Sequence, residues 1–150
     1  MRRQKRIQRM LQLSPAPHAL TIPDLLKLLA DPTRLRILNL LSHGERCVCE
    51  LTYLLDIKQS NLSKHLGALS RSHVITSDRR NKFVFYQLDA SFLKAYPFAG
   101  EILTAIKKEP PFTTDDRNDQ AYCDSDLTRD CLCASSETKA RPEKHSGTRQ

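Results

Sequence analysis

Apolar positions recur at helical spacing from residue 23 to about residue 106, with one change of period on the way. Leu25, Leu26, Leu28 and Leu29 predict a short helix after Pro23. Asp31-Pro32 predicts the start of the next, because an aspartate side chain accepts the first free N–H groups and proline suits the first helical position. Leu35, Ile37, Leu38, Leu40 and Leu41 form its buried side, and Gly44 ends it. A third short helix holds Leu51, Leu54 and Leu55, and Asp56-Ile57-Lys58 makes a turn. A fourth helix runs from about Ser60 to Arg71, with Leu62, Leu66 and Leu69 forming one apolar stripe at i, i+4, i+7. From Val74 to Leu88 the period shortens to that of a two-strand hairpin. Val84, Tyr86 and Leu88 alternate along its second strand, and its tip lies near Arg80-Asn81-Lys82, where Asn81 tolerates left-handed backbone angles. A last helix, about Ala90 to Lys108, carries Phe92, Leu93, Ile102, Leu103 and Ile106 and is kinked or split by Pro97. Four helices, a hairpin and a closing helix describe a winged helix-turn-helix, mainly α with a small β-hairpin wing.

The flanks read differently. Residues 1–22 are polar and basic and are broken by Pro15 and Pro17, so they predict a flexible arm. Residues 110–150 open with Pro110-Pro111 and are rich in Asp, Ser, Thr, Arg and Glu, with only Phe112, Tyr122 and Leu132 as anchors. They lack the material for a core and are expected to be largely disordered unless something ties them down. The patterned domain therefore occupies residues 23–109.

Charge sharpens this division. The 150-residue chain has a formal net charge of +7, but residues 1–109 hold 18 basic against 9 acidic side chains and residues 110–150 hold 6 against 8. A domain more basic than the whole chain points to a nucleic acid partner before a membrane surface. No apolar run approaches the length of a bilayer span, and Met10 to Leu13 is too short for a signal sequence, so a cytoplasmic chain is expected. Five cysteines in that compartment are thiols, metal ligands or redox groups before they are structural disulfides.

The fourth helix has the composition of a duplex reader. Opposite its leucine stripe stand Ser60, Ser63, Lys64, Gly67 and Arg71, flanked by Asn61 and His65. Gln59, Asn61 and Lys64 have donor and acceptor geometry for base edges, Ser60, Ser63 and Arg71 suit phosphates, and Gly67 allows close backbone approach. Together with the short helix before it, this segment has helix-turn-helix spacing. Arg79, Arg80 and Lys82 on the wing suit a neighbouring phosphate or minor groove, and Arg2, Arg3, Lys5, Arg6 and Arg9 on the arm suit further phosphates.

Cys47-Val48-Cys49 sits at the entry to the third helix, where the macrodipole and free N–H groups favour thiolates. Cysteines two apart point roughly 200° apart on a regular helix. One ion can therefore be gripped by both only where the helix is frayed, and binding would then pull on the helix that supports the reader.

Leu29-Ala30-Asp31-Pro32-Thr33-Arg34-Leu35-Arg36-Ile37, Glu45-Arg46-Cys47-Val48-Cys49-Glu50-Leu51 and Gln59-Ser60-Asn61-Leu62-Ser63-Lys64-His65-Leu66 resemble the ArsR/SmtB family of bacterial metalloregulatory repressors over about residues 29–88. The resemblance implies a homodimer, built on the first and last helices, that leaves double-stranded operator DNA when an ion binds. The Cys-Val-Cys resembles arsenite-responsive members first and cadmium- or lead-responsive members next. It implies As(III) or Sb(III) as inducer, with Cd(II), Pb(II) or Zn(II) as alternatives, and no prosthetic group. Thr52 stands where arsenite sensors often carry a third cysteine, the arm has no cysteine, residues 90–108 have no histidine, and His73 replaces a usual glycine. Because trivalent arsenic takes three thiolates, Cys123, Cys131 and Cys133 in the tail are candidates to complete a site begun by Cys47 and Cys49. Residues 110 to 123, extended, span up to roughly 45–50 Å.

Two rivals remain. A thiol-oxidation sensor on the same scaffold would form disulfides at Cys47 and Cys49 or at Cys131 and Cys133. An enzyme is disfavoured, because no motif places His18, His43, His65, His73 or His145 beside a nucleophile and no phosphate-cradling glycine loop exists.

Overall fold

The computed structural model describes residues 20–130 and 132. Its elements, in chain order, are α1 (Ile22–Leu29), α2 (Pro32–Leu41), β1 (Arg46–Cys47), α3 (Val48–Leu55), α4 (Gln59–Arg71), β2 (Ile75–Arg80), β3 (Phe83–Leu88), α5 (Ala90–Ala95), α6 (Pro97–Ile106) and α7 (Phe112–Cys123). The arm lies outside the described residues up to residue 19.

The local signals act as expected. Thr21 and Asp31 cap α1 and α2, accepting from the N–H groups of Asp24 and Arg34 at 3.3 and 2.9 Å. Leu62, Leu66 and Leu69 are all buried, facing the leucines of α1, α2 and α3 in one core. Pro97 divides the last predicted helix into α5 and α6, with Phe92, Ala99 and Leu103 buried. Asn81 turns the hairpin at φ 55°, and His73 takes φ 53° after α4, the left-handed region that its replacement of a glycine implied. The result is a winged helix-turn-helix in which α3 supports α4 and β2–β3 form the wing.

Two features depart from the sequence reading. Arg46 and Cys47 form a third strand, β1, antiparallel to β3 with Arg46 opposite Tyr86 and Cys47 opposite Phe85, giving the sheet order β1-β3-β2. The head of α3 is thereby fastened to the wing.

The second departure is a tie on the first part of the tail that the sequence did not reveal: residues 112–123 form α7, which packs on α2 and α3. Phe112 supplies one buried apolar anchor, Tyr122 packs on the core with its ring centroid 6.0 Å from that of Tyr53, and much of the remaining attachment is ionic. Arg36 donates from Nε and Nη2 to the two carboxylate oxygens of Asp115, both at 2.7 Å. Arg46 makes the same kind of fork with Asp119, His43 lies 3.2 Å from Asp119, and Asn39 donates to Asp116 at 2.6 Å. Asp115 and Asp119 are buried despite their charge, because each meets a planar guanidinium with matching geometry. The side-chain hydrogen bond and charge of Asp115 hold Arg36 above its usual pKa against the opposing effect of burial. Residues 133–150 lie outside the described residues.

Breaking one partner of a buried pair leaves the other uncompensated. Asp115→Ala is expected to cost about 3 kcal/mol of unfolding free energy, measured by urea denaturation followed by circular dichroism. A loss under about 0.5 kcal/mol, the scale of a surface substitution, would show that α7 is not docked through this pair.

Candidate nucleic acid interface and thiol site

The exposed side of α4 begins at its first turn. Gln59, Ser60, Asn61, Ser63 and Lys64 are exposed, while the leucine stripe faces inward. The first turn is therefore free to meet a duplex with short polar groups and one cation. Two neighbours behave differently. His65 turns toward its own protein, its Nδ1 3.7 Å from the Asp31 carboxylate at the head of α2. Arg71 is exposed but folds back over Gly67, where a Cβ would stand 3.1 Å from its guanidinium. Its own arginine, not an incoming backbone, fills the space that glycine leaves.

The wing presents less free charge than its sequence suggests. Arg79 is exposed. Arg80 forks onto Glu45 at 2.6 and 3.0 Å and also donates to Asp78 at 2.8 Å, while its guanidinium lies 4.8 Å from the Phe85 ring centroid. Glu45 first, and Asp78 after it, raise the Arg80 pKa further, and Arg80 holds Glu45 below the usual carboxylate range. Lys82 lies 5.3 Å from the Phe83 ring and pairs with Asp130 at 2.5 Å. Wing cations already matched by carboxylates must exchange those partners for phosphates on binding.

Cys47 is the N-cap of α3 and is 1% exposed. Its N–H donates to Glu50 Oε2 at 2.7 Å, the returning half of a capping box in which cysteine stands at the position usual for serine or threonine. The expectation of a low thiol pKa at a helix N-terminus is not met here. Burial pushes the Cys47 thiol up, and the Glu50 carboxylate adds to the effect. Cys49 is half-buried and disulfide-bonded, whereas Cys47 and Cys123 are free. Cys123 is exposed at the end of α7, its Sγ 3.8 Å from Arg46 Nη2. The structure thus brings Cys123 to the strand that carries Cys47. Cys131 and Cys133 lie outside the described residues. Among the described residues no group of three or more His, Cys, Asp or Glu side chains is arranged to hold a metal ion.

Sequence reasoning missed Glu50, Tyr122 and Arg129. Glu50 is buried at 2% exposure and joins three parts of the chain: it accepts from Cys47, from the Tyr122 hydroxyl at 3.0 Å and from Arg129 Nε at 3.0 Å. Burial, followed by Glu50, raises the Tyr122 pKa. Glu50 at the third position of a helix was a visible signal, since a capping box puts an acid there. Its distant partners had no signal.

Comparison with known proteins follows this geometry. A model of bacterial regulatory proteins of the arsR family matches residues 31–77. The chain is 41% identical over 70 residues to the arsenic resistance transcriptional regulator ArsR1 of Pseudomonas putida, covering 46% of this chain and 55% of that protein. It is 41% identical over 72 residues to the arsenical resistance operon repressor of Staphylococcus xylosus, covering 48% of this chain and 69% of that protein. To the Escherichia coli protein of the same description it is 46% identical over 66 residues, covering 43% and 56%. The matched part thus spans little more than half of two of these relatives. Among solved structures, the transcriptional repressor BigR from Xylella fastidiosa superposes with a TM-score of 0.50 at 29% identity, covering 72% of this chain and 95% of that one. No helix among the described residues is long and apolar enough to cross a membrane.

The burial of Cys47 and the exposure of Cys123 give a direct check. At neutral pH and without reductant, iodoacetamide should modify Cys123 at least about tenfold faster than Cys47, as resolved by peptide mass spectrometry. Equal rates would mean that the head of α3 is open.

Proposed function

The chain belongs to the arsR family of bacterial regulatory proteins, and from that premise we propose that it is a homodimeric transcriptional repressor whose cysteines control its hold on double-stranded operator DNA. The observation that carries this reading is the position of Cys47 and Cys49, at the head of the helix that supports α4. Gln59, Ser60, Asn61, Ser63 and Lys64 meet the groove, and His65 and Arg71 join them by turning away from Asp31 and Gly67. Arg79, Arg80 and Lys82 meet phosphates beside it. Ile22 and Leu26, each about half exposed on α1, support a second copy as the partner of that helix.

The inducer is a thiophilic ion, As(III) or Sb(III) first. Its donors begin with Cys47 and Cys49 and are completed from Cys123, Cys131 and Cys133. Soft thiolates suit these ions, and Thr52 offers only a hydroxyl that is already donating to the Val48 carbonyl at 2.8 Å. One observation supports a contribution from the tail: docking of α7 carries the chain back to β1 and sets Cys123 Sγ 3.8 Å from Arg46 Nη2. Cys47, facing inward from the N-cap, joins such a site only if the first turn of α3 opens. That opening is the event that would misplace α4 and release the duplex.

The disulfide at Cys49 also favours a second reading, in which oxidation of thiols, not capture of an ion, is the signal.

One titration separates them. A duplex from upstream of the protein's own gene is bound by the reduced protein and challenged in turn with arsenite, antimonite, Cd(II), Pb(II), Zn(II) and hydrogen peroxide. Arsenite or antimonite should dissociate the complex, and Cys47→Ser and Cys49→Ser should each raise the concentration required by roughly tenfold or more, the scale of one lost soft ligand. Release by peroxide alone would favour oxidation sensing. Release by arsenite that survives both substitutions would end the cysteine reading.

A further inference from the structure

Glu50 is a buried carboxylate that feels the charge of Arg46 in its own domain but takes its hydrogen-bonded cation from the C-terminal segment. A buried charge is costly unless it is paired and hydrogen-bonded. From the cap of its own helix Glu50 receives the Cys47 N–H, with the Cys47 thiol beside it. The other two donors, the Tyr122 hydroxyl and the Arg129 guanidinium, come from beyond Pro111, and Arg129 is the cation among the three. The same guanidinium lies 5.0 Å from the ring centroid of Phe85, the residue paired with Cys47 across β1 and β3. Immediately after it, Asp130 pairs with Lys82 at the wing tip. The strap 124–130 therefore ends on the cap of the cysteine helix and on the wing together.

We infer that Arg129 is a detachable counter-ion for Glu50, a positioning residue through which the C-terminal segment sets the burial of Cys47 and the order of the first turn of α3. With Arg129 seated, Glu50 is compensated, its second oxygen holds the Cys47 N–H, and the thiol stays inside. With Arg129 withdrawn, the carboxylate keeps two neutral donors and the more distant charge of Arg46, without its direct ionic partner. Its relief is to turn outward, which gives up the Cys47 N–H and frays the turn. Arg129 is suited to leave: its side chain is 45% exposed while that of Glu50 is 2% exposed. Whatever moves the tail, whether ligation or oxidation of its cysteines, thereby acts on Cys47 without touching it. The inference needs only the residues around Glu50, so it stands or falls separately from the nature of the inducer.

The test uses the full-length protein without DNA or inducer and reads Cys47 alkylation by iodoacetamide at fixed neutral pH, with Cys123 as internal reference. Arg129→Ala should speed modification of Cys47 by roughly tenfold, the scale expected when a partly exposed charge partner of a buried group is lost. Arg129→Lys should restore most of the protection. Glu50→Gln combined with Arg129→Ala should react at the rate of Glu50→Gln alone, because a neutral amide needs no counter-ion. A merely structural role for Arg129 would not be erased by the second substitution. If Arg129→Ala does not fold by circular dichroism, the comparison of the double variant with Glu50→Gln decides. Cys47 rates within twofold of wild type in Arg129→Ala, or a double variant that reacts faster than Glu50→Gln, would overturn the inference.

Discussion

Among the described residues three acids, Glu50, Asp115 and Asp119, are buried, and each is met by a guanidinium from elsewhere in the chain. That constraint shapes the molecule more than any apolar contact of the C-terminal segment. Asp115 and Asp119 draw α7 onto Arg36 of α2 and Arg46 of β1, and Glu50 draws Arg129 onto the head of α3. The segment brings few large apolar side chains, so it could not hold its place by hydrophobic burial alone. It holds largely through forks of matched charge, which are specific in geometry and, being buried, are little screened by salt.

The consequence for function lies in where these forks end. Arg46 and Cys47 are adjacent in β1, Cys47 caps α3, and α3 packs against α4 through Leu51, Leu54 and Leu55. A change in the docking of α7 or the strap is therefore felt first at the thiol, then at the supporting helix, then at the reading helix. In the other direction, the proposed chemistry at Cys47 or Cys49 would loosen the cap that Glu50 maintains and with it the seat of Arg129. The wing shares the arrangement, because Phe85 and Lys82 both meet residues of the strap. On the proposed function, repression and induction would be two states of one packed unit, not two sites joined by a wire.

Much of the domain was legible in residue order because its signals are local. Asp31-Pro32 starts α2, the leucines of α4 face the core, Pro97 splits α5 from α6, and Asn81 takes the left-handed tip of the hairpin. Each follows from one residue's geometry or a short period. What was not legible is non-local. Arg46-Cys47 is a strand only because β3 passes beside it. The acidic run after Pro111 reads as solvated until Arg36 and Arg46, some 75 residues earlier, are brought across it. The same holds for Cys47. A helix N-terminus alone argues for an acidic thiol, but burial beside Glu50 reverses the direction. Arg80 likewise reads as a phosphate contact and is found already forked onto Glu45.

The account turns on whether capture of a guest by sulfur loosens the first turn of α3 and, through it, α4. Hydrogen–deuterium exchange of the reduced full-length protein with and without arsenite measures this directly. The account predicts faster exchange at the amides of residues 47–51 and in α4 when arsenite is present, with α1 unchanged. Arsenite that binds and releases the duplex while exchange across 47–71 stays the same would contradict it.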